Sequence, residues 1–352
     1  MGGLRNANFS LARLYMEGKG LAKQPARAAT LFLQAANAGH VRAQGMAGLC
    51  FSEGLGIPQD DSLALHWSCQ AASRGDADAQ LFLAECYDFG RRGLTQDSSQ
   101  AVAWYAKAAV QHASAQFRLG ELYEQGKGVP ADIQQAGAWY TKAAHQGHLD
   151  AQYSLGYFCK HGLGVARDYE QAARWFHLAA QQRHAKAQCA LGMLYYDGLG
   201  VARDGQQARK LFAEAAEQGL TNAQFWMGFC HEGDKDFAKA VPWLKAAAEQ
   251  GHAAAQCNLG VCYEHGTGAP LNQKKAAEWY AKAAAAGNDR AQFNLGVCYY
   301  YGVGVVRDYT QALSWFLKAA EQGLVQARGK VRRMYEARQG IDDANLELLV
   351  KN

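Results

Sequence analysis

The sequence predicts an all-α fold, an α/α superhelical solenoid of about nine helix-turn-helix repeats with a 36-residue period and a C-terminal capping segment. Three observations carry that expectation. An Ala-Gln pair recurs at Ala43, Ala79, Ala115, Ala151, Ala187, Ala223, Ala255 and Ala291, in steps of 36 residues except for one of 32. Each copy holds two apolar stripes at helical spacing, and in most copies a Gly-x-Gly separates them. A fixed period of this size means units that cannot bury their apolar faces alone and stack on their neighbours.

The copy from Asp289 to Leu324 shows how one unit is built. Ala291, Leu295, Cys298 and Tyr299 form the stripe of a first helix. Gly302 and Gly304 end it, because glycine enters the left-handed conformation that closes a helix without a Cβ clash. Asp308 starts the second helix by accepting free N–H groups of its first turn, with Gln311 in capping-box register. Ala312, Trp315, Phe316, Ala319 and Ala320 make its stripe, and Gly323 closes it.

Along the chain, residues 1–5 read as a tail and a solenoid spans 6–326. Its repeats fall near 6–40, 41–76, 77–112, 113–148, 149–184, 185–220, 221–252, 253–288 and 289–324. The first has Ala7-Asn8 for Ala-Gln, Pro25 early in its second helix and Leu31-Phe32 for Trp-Tyr. The second keeps Asp60 as cap and Trp67. In the third, Arg91-Arg92 lengthens the glycine loop by one residue and a later deletion before His112 restores the step. Asp132, Asp168 and Asp204 cap the next three, with Trp139-Tyr140, Trp175-Phe176 and Leu211-Phe212 in the seam. The seventh has lost four residues, its loop shrinking to Gly233-Asp234-Lys235 before Asp236, which predicts a tight turn and a notch in the loop-lined edge. Asn272 and Asp308 cap the last two. Ala327 opens a degenerate copy in which no glycine loop is expected, and residues 327–352 read as capping helices. Their basic face, Arg328, Lys330, Arg332 and Arg333, supplies the polar surface a terminal repeat needs, and Asp342 or Asp343 is placed to cap a last short helix.

The pattern A-Q-x-x-L-G-x-x-Y-x-x-G-x-G-V-x-x-D, followed by A-x-x-W-Y/F-x-K-A-A-x-x-G, resembles the Sel-one-like repeat family, relatives of the tetratricopeptide repeats. The resemblance covers about residues 6 to 328. It implies a non-catalytic protein-protein interaction scaffold or adaptor that takes a protein or peptide in a concave groove lined by first helices. It also admits an inhibitor or immunity-type protein that wraps and neutralises one enzyme or toxin.

A net charge of +4 over 352 residues, without a clustered basic face, points away from nucleic acid. No run approaches the ~18 apolar residues of a membrane helix. Five of the nine cysteines, Cys50, Cys86, Cys230, Cys262 and Cys298, fall at one repeat position where other copies have Leu or Phe, so they read as small buried hydrophobes. Their odd number and lack of a regular pair favour a reducing, cytoplasmic setting, with Cys50 and Cys69 the pair to test for a disulfide.

No nucleophile elbow, zinc-protease motif or phosphate loop is present, so no catalysis and no cofactor is expected. Gly-Lys-Gly at 18–20 and 126–128 lies where other copies have capping glycines. His145 with His148, and Cys262 with His265, are pairs where zinc needs three or four ligands, so no metal is expected. A metal-dependent hydrolase or a cell-wall glycan binder is the reading from another class.

What remains is surface. Counting each repeat from the alanine of its Ala-Gln pair, positions one, five, eight and nine face the core and positions three, seven and ten the opposite side. Those outward positions carry Phe117 and Glu121, then Tyr153, Tyr157 and Lys160, then Met193 and Tyr196, then Phe225 and Phe229, and finally Phe293 and Tyr300. Aromatic and Met side chains on an accessible face match the composition of binding hot spots, although position three is also placed to pack on the neighbouring repeat. Trp226, beside the notch of repeat seven, completes the candidate partner-binding set. The chain is expected to act as a monomer.

Overall fold

The computed structural model describes residues 2–340, all of the regular structure among them being helical. It divides into two compact units, Met1–Ala179 and Ala180–Asn352, each built the same way. In the first, α1 (Gly2–Glu17), α2 (Pro25–Asn37), α3 (Val41–Glu53), α4 (Asp61–Ser73) and α5 (Ala77–Phe89) are followed by α6 (Ser98–Ala108), α7 (Ala113–Gln125), α8 (Ile133–His145) and α9 (Leu149–His161). The division falls near the end of α10 (Tyr169–Gln181). The second unit continues with α11 (Ala185–Asp197), α12 (Gly205–Glu217), α13 (Thr221–Gly233), α14 (Phe237–Glu249) and α15 (Ala253–His265). It ends with α16 (Gln273–Ala285), α17 (Asp289–Tyr301), α18 (Tyr309–Glu321) and α19 (Val325–Glu336). Odd-numbered helices are the first helices of the repeats and even-numbered ones the second.

The two glycines of each loop have different work. The first closes its helix in the left-handed conformation, as Gly302 does at φ 73°. The second lies against the preceding repeat: a Cβ on Gly164 would meet Ile133 O at 2.2 Å, and one on Gly304 would meet Gln273 O at 2.1 Å. Gly20, in the first described repeat, has nothing within 4 Å. A third glycine, at position six, lets the second helix approach. At Gly156 a Cβ would stand 2.7 Å from the Phe176 ring, and at Gly260 2.6 Å from the Tyr280 ring, both rings being fully buried.

Position two is where helical periodicity misleads. The glutamine of every Ala-Gln pair is buried, none more than 8% exposed. In six of the eight the amide donates to a carbonyl at the end of the preceding second helix, as Gln80 Nε2 does to Ala72 O at 3.1 Å and Gln256 Nε2 to Ala248 O at 3.0 Å. In five the oxygen accepts from the end of its own second helix, as Gln292 does from Gln322 at 2.8 Å and Gln116 from Gln146 at 3.0 Å. Where both bonds form, as at Gln116 and Gln292, one side-chain amide satisfies a carbonyl that a helix C-terminus leaves without a partner and ties two repeats together.

The termini differ from expectation. Helix α1 begins at Gly2, so residues read as a tail extend the first helix, propagation adding one hydrogen bond per residue once a helix is nucleated. After α19 the loop does come: Arg338 adopts φ 51° in place of the first glycine, and a Cβ on Gly340 would meet Tyr309 O at 2.1 Å. The helix expected after Asp342 or Asp343 lies outside the described residues. Cys50 and Cys69 are not bridged, the first a buried and the second an exposed free thiol.

Several first helices are capped by a side chain at the position that follows the end of the preceding second helix. His40, His148 and His252 accept through Nδ1 from the N–H groups of Ala43, Ala151 and Ala255 at 3.1, 3.3 and 3.2 Å. His148 thus has a structural role, and its neighbour His145 packs edge-on against Trp175. His184 caps α11 in the same way, and burial holds the imidazoles of His40, His148 and His252 below their ordinary pKa of 6.5. A depressed folded-state pKa means the neutral form is favoured by folding, so this stability is present above pH 6.5 and lost as pH falls through the folded values. Asn288 caps α17 from the same position without titrating, its Oδ1 2.8 Å from Ala291 N. Replacing the three histidines together by asparagine is therefore expected to preserve stability at pH 7.5 and to flatten its decline between pH 6.5 and 5, measured by chemical denaturation.

Candidate protein-binding surface

The outward positions divide into packing residues and exposed ones. Phe117 and Phe225 are half-buried, each stacked on the capping histidine of the next first helix, with His148 at 4.7 Å and His252 at 4.4 Å. Tyr153 and Phe293 rest on the core rings Phe176 and Phe316 at 5.8 and 5.5 Å. Position three is thus a joint within and between repeats. Glu121 pairs with Arg118 of its own helix, and Lys160 and Met193 are half-buried. Position ten is also tied inward where position twenty-six is tyrosine: Tyr140 and Tyr280 donate to Glu124 and Glu264, both at 2.5 Å. Tyr300 is half-buried, packed on Tyr301 and Tyr309 with its hydroxyl 3.3 Å from Gln339 Oε1. Of the residues singled out from sequence, Tyr157 and Phe229 are the exposed aromatics, at 43% and 39%.

Repeat seven brings four of them together. Trp226 stacks on the buried Phe212 at 5.4 Å, and Tyr196, Phe225 and Phe229 surround it with centroids 5.4, 5.9 and 5.5 Å away. Beside this cluster lies a cleft of about 960 Å³ lined by Tyr196, Phe229, Arg203, Asp204, Arg209, Lys210, His231 and Asp234. It has a specific origin. In other repeats the glycine loop covers the start of the preceding second helix, and its apolar residue packs there, Val165 against Gly137 and Val305 in the cluster that contains Ala277. Repeat seven has lost that loop, and the turn closes instead on Lys235 at φ 60°. The first turn of α12 is left uncovered, a Cβ at Gly205 meeting nothing within 4 Å.

Arg209 is the residue that sequence reasoning missed. It occupies the position that is Ala29, Gly137, Ala173, Ala277 or Leu313 in other copies, where an overlying loop demands small or apolar side chains. Here its guanidinium reaches Asp234 of the shortened turn at 2.5 Å, with both side chains about half exposed. The signal was legible as a charged residue at a position otherwise uncharged, immediately ahead of the one short loop.

Among the described residues no cluster of three metal-ligating side chains occurs, and no helix is long and apolar enough to cross a membrane. Cys262 is buried, its thiol pushed up to about 11 by desolvation, and His265 beside it is exposed.

The model of the Sel1 repeat matches nine times, at residues 5–40, 41–76, 77–110, 113–148, 149–184, 185–220, 221–252, 253–288 and 289–324. No curated protein sequence matches the chain. Among solved structures it is similar to a protective antigen present in uropathogenic Escherichia coli strains and displaying an SLR fold, at 30% identity and a TM-score of 0.71, over 99% of this chain and 82% of that one. It is similar also to a Sel1 repeat protein from Oxalobacter formigenes, at 32% identity and a TM-score of 0.66, over 87% of this chain and 89% of that one. Nine consecutive repeats, their glycine joints and their buried glutamines place this all-α solenoid in the Sel1 repeat family.

Proposed function

We propose that the chain is a non-catalytic interaction scaffold that holds a polypeptide partner on the surface of repeat seven. Sel1 repeat proteins are in general protein-binding scaffolds, which sets the class. The observation that carries the location is the coincidence of the exposed Phe229, the Trp226 cluster and the cleft left by the missing loop. Aromatic rings flanked by arginine, here with Arg203 5.9 Å from the Tyr196 ring, are what interface hot spots are made of. Phe117, Tyr153 and Phe293 serve as joints, and Tyr157 is a separate exposed aromatic of the first unit.

The test is affinity capture from cells of the source organism with the native chain and with a Phe229→Ala, Arg209→Ala variant of unchanged helical content. One polypeptide retained by the native chain and lost by the variant is the expected result. Equal retention by both would place the partner elsewhere, with Tyr157 and the basic face of α19 the next surfaces to alter. If the captured protein is an enzyme whose activity the chain blocks, the scaffold is a neutralising one.

A further inference from the structure

Repeat two lacks both rings that other copies place between their helices. Position twenty-six is a buried ring in Phe32, Tyr140, Phe176, Phe212, Tyr280 and Phe316, but Ser68 here. Position three is aromatic in Phe9, Phe117, Tyr153, Phe225 and Phe293, but Gly45 here. The helices have closed in over the loss at Ser68 but not over the one at Gly45. A Cβ on Gly48 would stand 2.4 Å from Ser68 Oγ and 3.2 Å from Ser68 N, where one on Gly296 stands 3.2 Å from the Phe316 Cγ, whereas a Cβ on Gly45 would meet the Asp76 carboxylate first, at 3.0 Å. A cavity of about 410 Å³ results. Its exposed surface is mainly apolar, with Phe9, Met16, Phe32, Met46, Leu49 and Phe82 lining it, and Arg13, Glu17, Arg42, Asp76 and Asp78 add charged groups to the lining; Leu49 is 40% exposed.

We propose that this cavity receives a phenylalanine or tyrosine side chain of a polypeptide partner. The chain itself shows what fits: position three holds an aromatic ring in Phe9, Phe117, Tyr153, Phe225 and Phe293. A preformed apolar pocket of this size, walled by rings and methionines, favours an aromatic over an aliphatic side chain. The chain's own C-terminal residues 341–352 contain no aromatic and cannot supply it. This deepens the scaffold reading only in naming the bearer of the ring. Binding of a free ring needs no partner, so its failure is distinct from a failure to capture one at repeat seven.

Methyl NMR on the full chain tests it, because Met16 and Met46 line the cavity while Met193, Met227 and Met334 lie in the other unit and serve as controls. The probes are N-acetyltyrosinamide, N-acetylphenylalaninamide and N-acetylleucinamide. The aromatic amides are expected to shift Met16 and Met46 saturably, with half-saturation on the order of 1 mM, and the leucine amide to bind at least about fivefold more weakly. Ser68→Phe and Gly45→Phe, which restore the rings of the other copies, should each weaken binding at least about tenfold. Should one fail to fold, the other carries the comparison. Absence of a saturable shift at Met16 and Met46, equal binding of the leucine amide, or native-like binding by the filled variants would overturn the assignment. So would concentration-dependent self-association that both filled variants abolish, since the ring would then come from a second copy.

Discussion

Gly164→Ala is expected to lower stability by about 3 kcal/mol or more, whereas Gly20→Ala, at the same motif position, should cost about 1 kcal/mol. Both residues have positive φ, 61° and 73°, so both variants suffer left-handed strain. They differ in what a Cβ meets. At Gly164 it falls 2.2 Å from the backbone oxygen of Ile133, which cannot rotate away as a side chain would, and relief requires two repeats to move apart. At Gly20 it meets nothing. Because each repeat contacts only its neighbours, the loss should appear first as local opening near repeats four and five, which hydrogen exchange resolves. Equal losses for the two variants would mean that the second glycine is needed for conformation alone.

Arg118→Met should cost about 3 kcal/mol, because it strands a buried carboxylate. Asp88, 5% exposed, accepts from Arg118 and from the Tyr105 hydroxyl at 3.1 Å. Neighbouring acids and the Tyr105 hydroxyl hold the Arg118 guanidinium firmly charged despite partial burial, its pKa displaced upward by Asp88 and Glu121. The Asp88→Asn, Arg118→Met double variant should be less destabilised than the sum of its parts, since the stranded charge is gone. Denaturant unfolding of the four chains measures the coupling, and additive losses would show that the pair acts only as two separate contacts.

These two cases also mark how far the sequence could be read. The period, the helix pairs, the Asp and Asn caps and the capping glycines follow from local chemistry that any one copy displays. Gln311 N lies 2.9 Å from Asp308 Oδ1 as the capping register requires. The second glycine's contact with Ile133 joins two repeats, so no single copy could reveal it. The glutamine at position two belonged neither to the core positions nor to the outward ones. Its burial depends on carbonyls at the end of the preceding helix, which periodicity does not see. The last glycine loop was hidden because Arg338 takes the left-handed conformation that glycine usually supplies. At the candidate site, Trp226 was found because it sits beside a deletion, and Tyr196 and Phe229 because they are aromatic at outward positions of a first helix. Arg209 was not, because an arginine on a helix is unremarkable until the loop that should cover it is seen to be missing.

The most direct measurement concerns that loop. Inserting four residues after Gly233 to rebuild a Gly-x-Gly-Val loop, together with Arg209→Ala, would cover the start of α12 as in the other repeats and fill the cleft. The dissociation constant of the captured partner should then rise at least about tenfold against the native chain, with stability unchanged or higher. Unchanged affinity with the loop in place would contradict the claim that repeat seven is the binding surface.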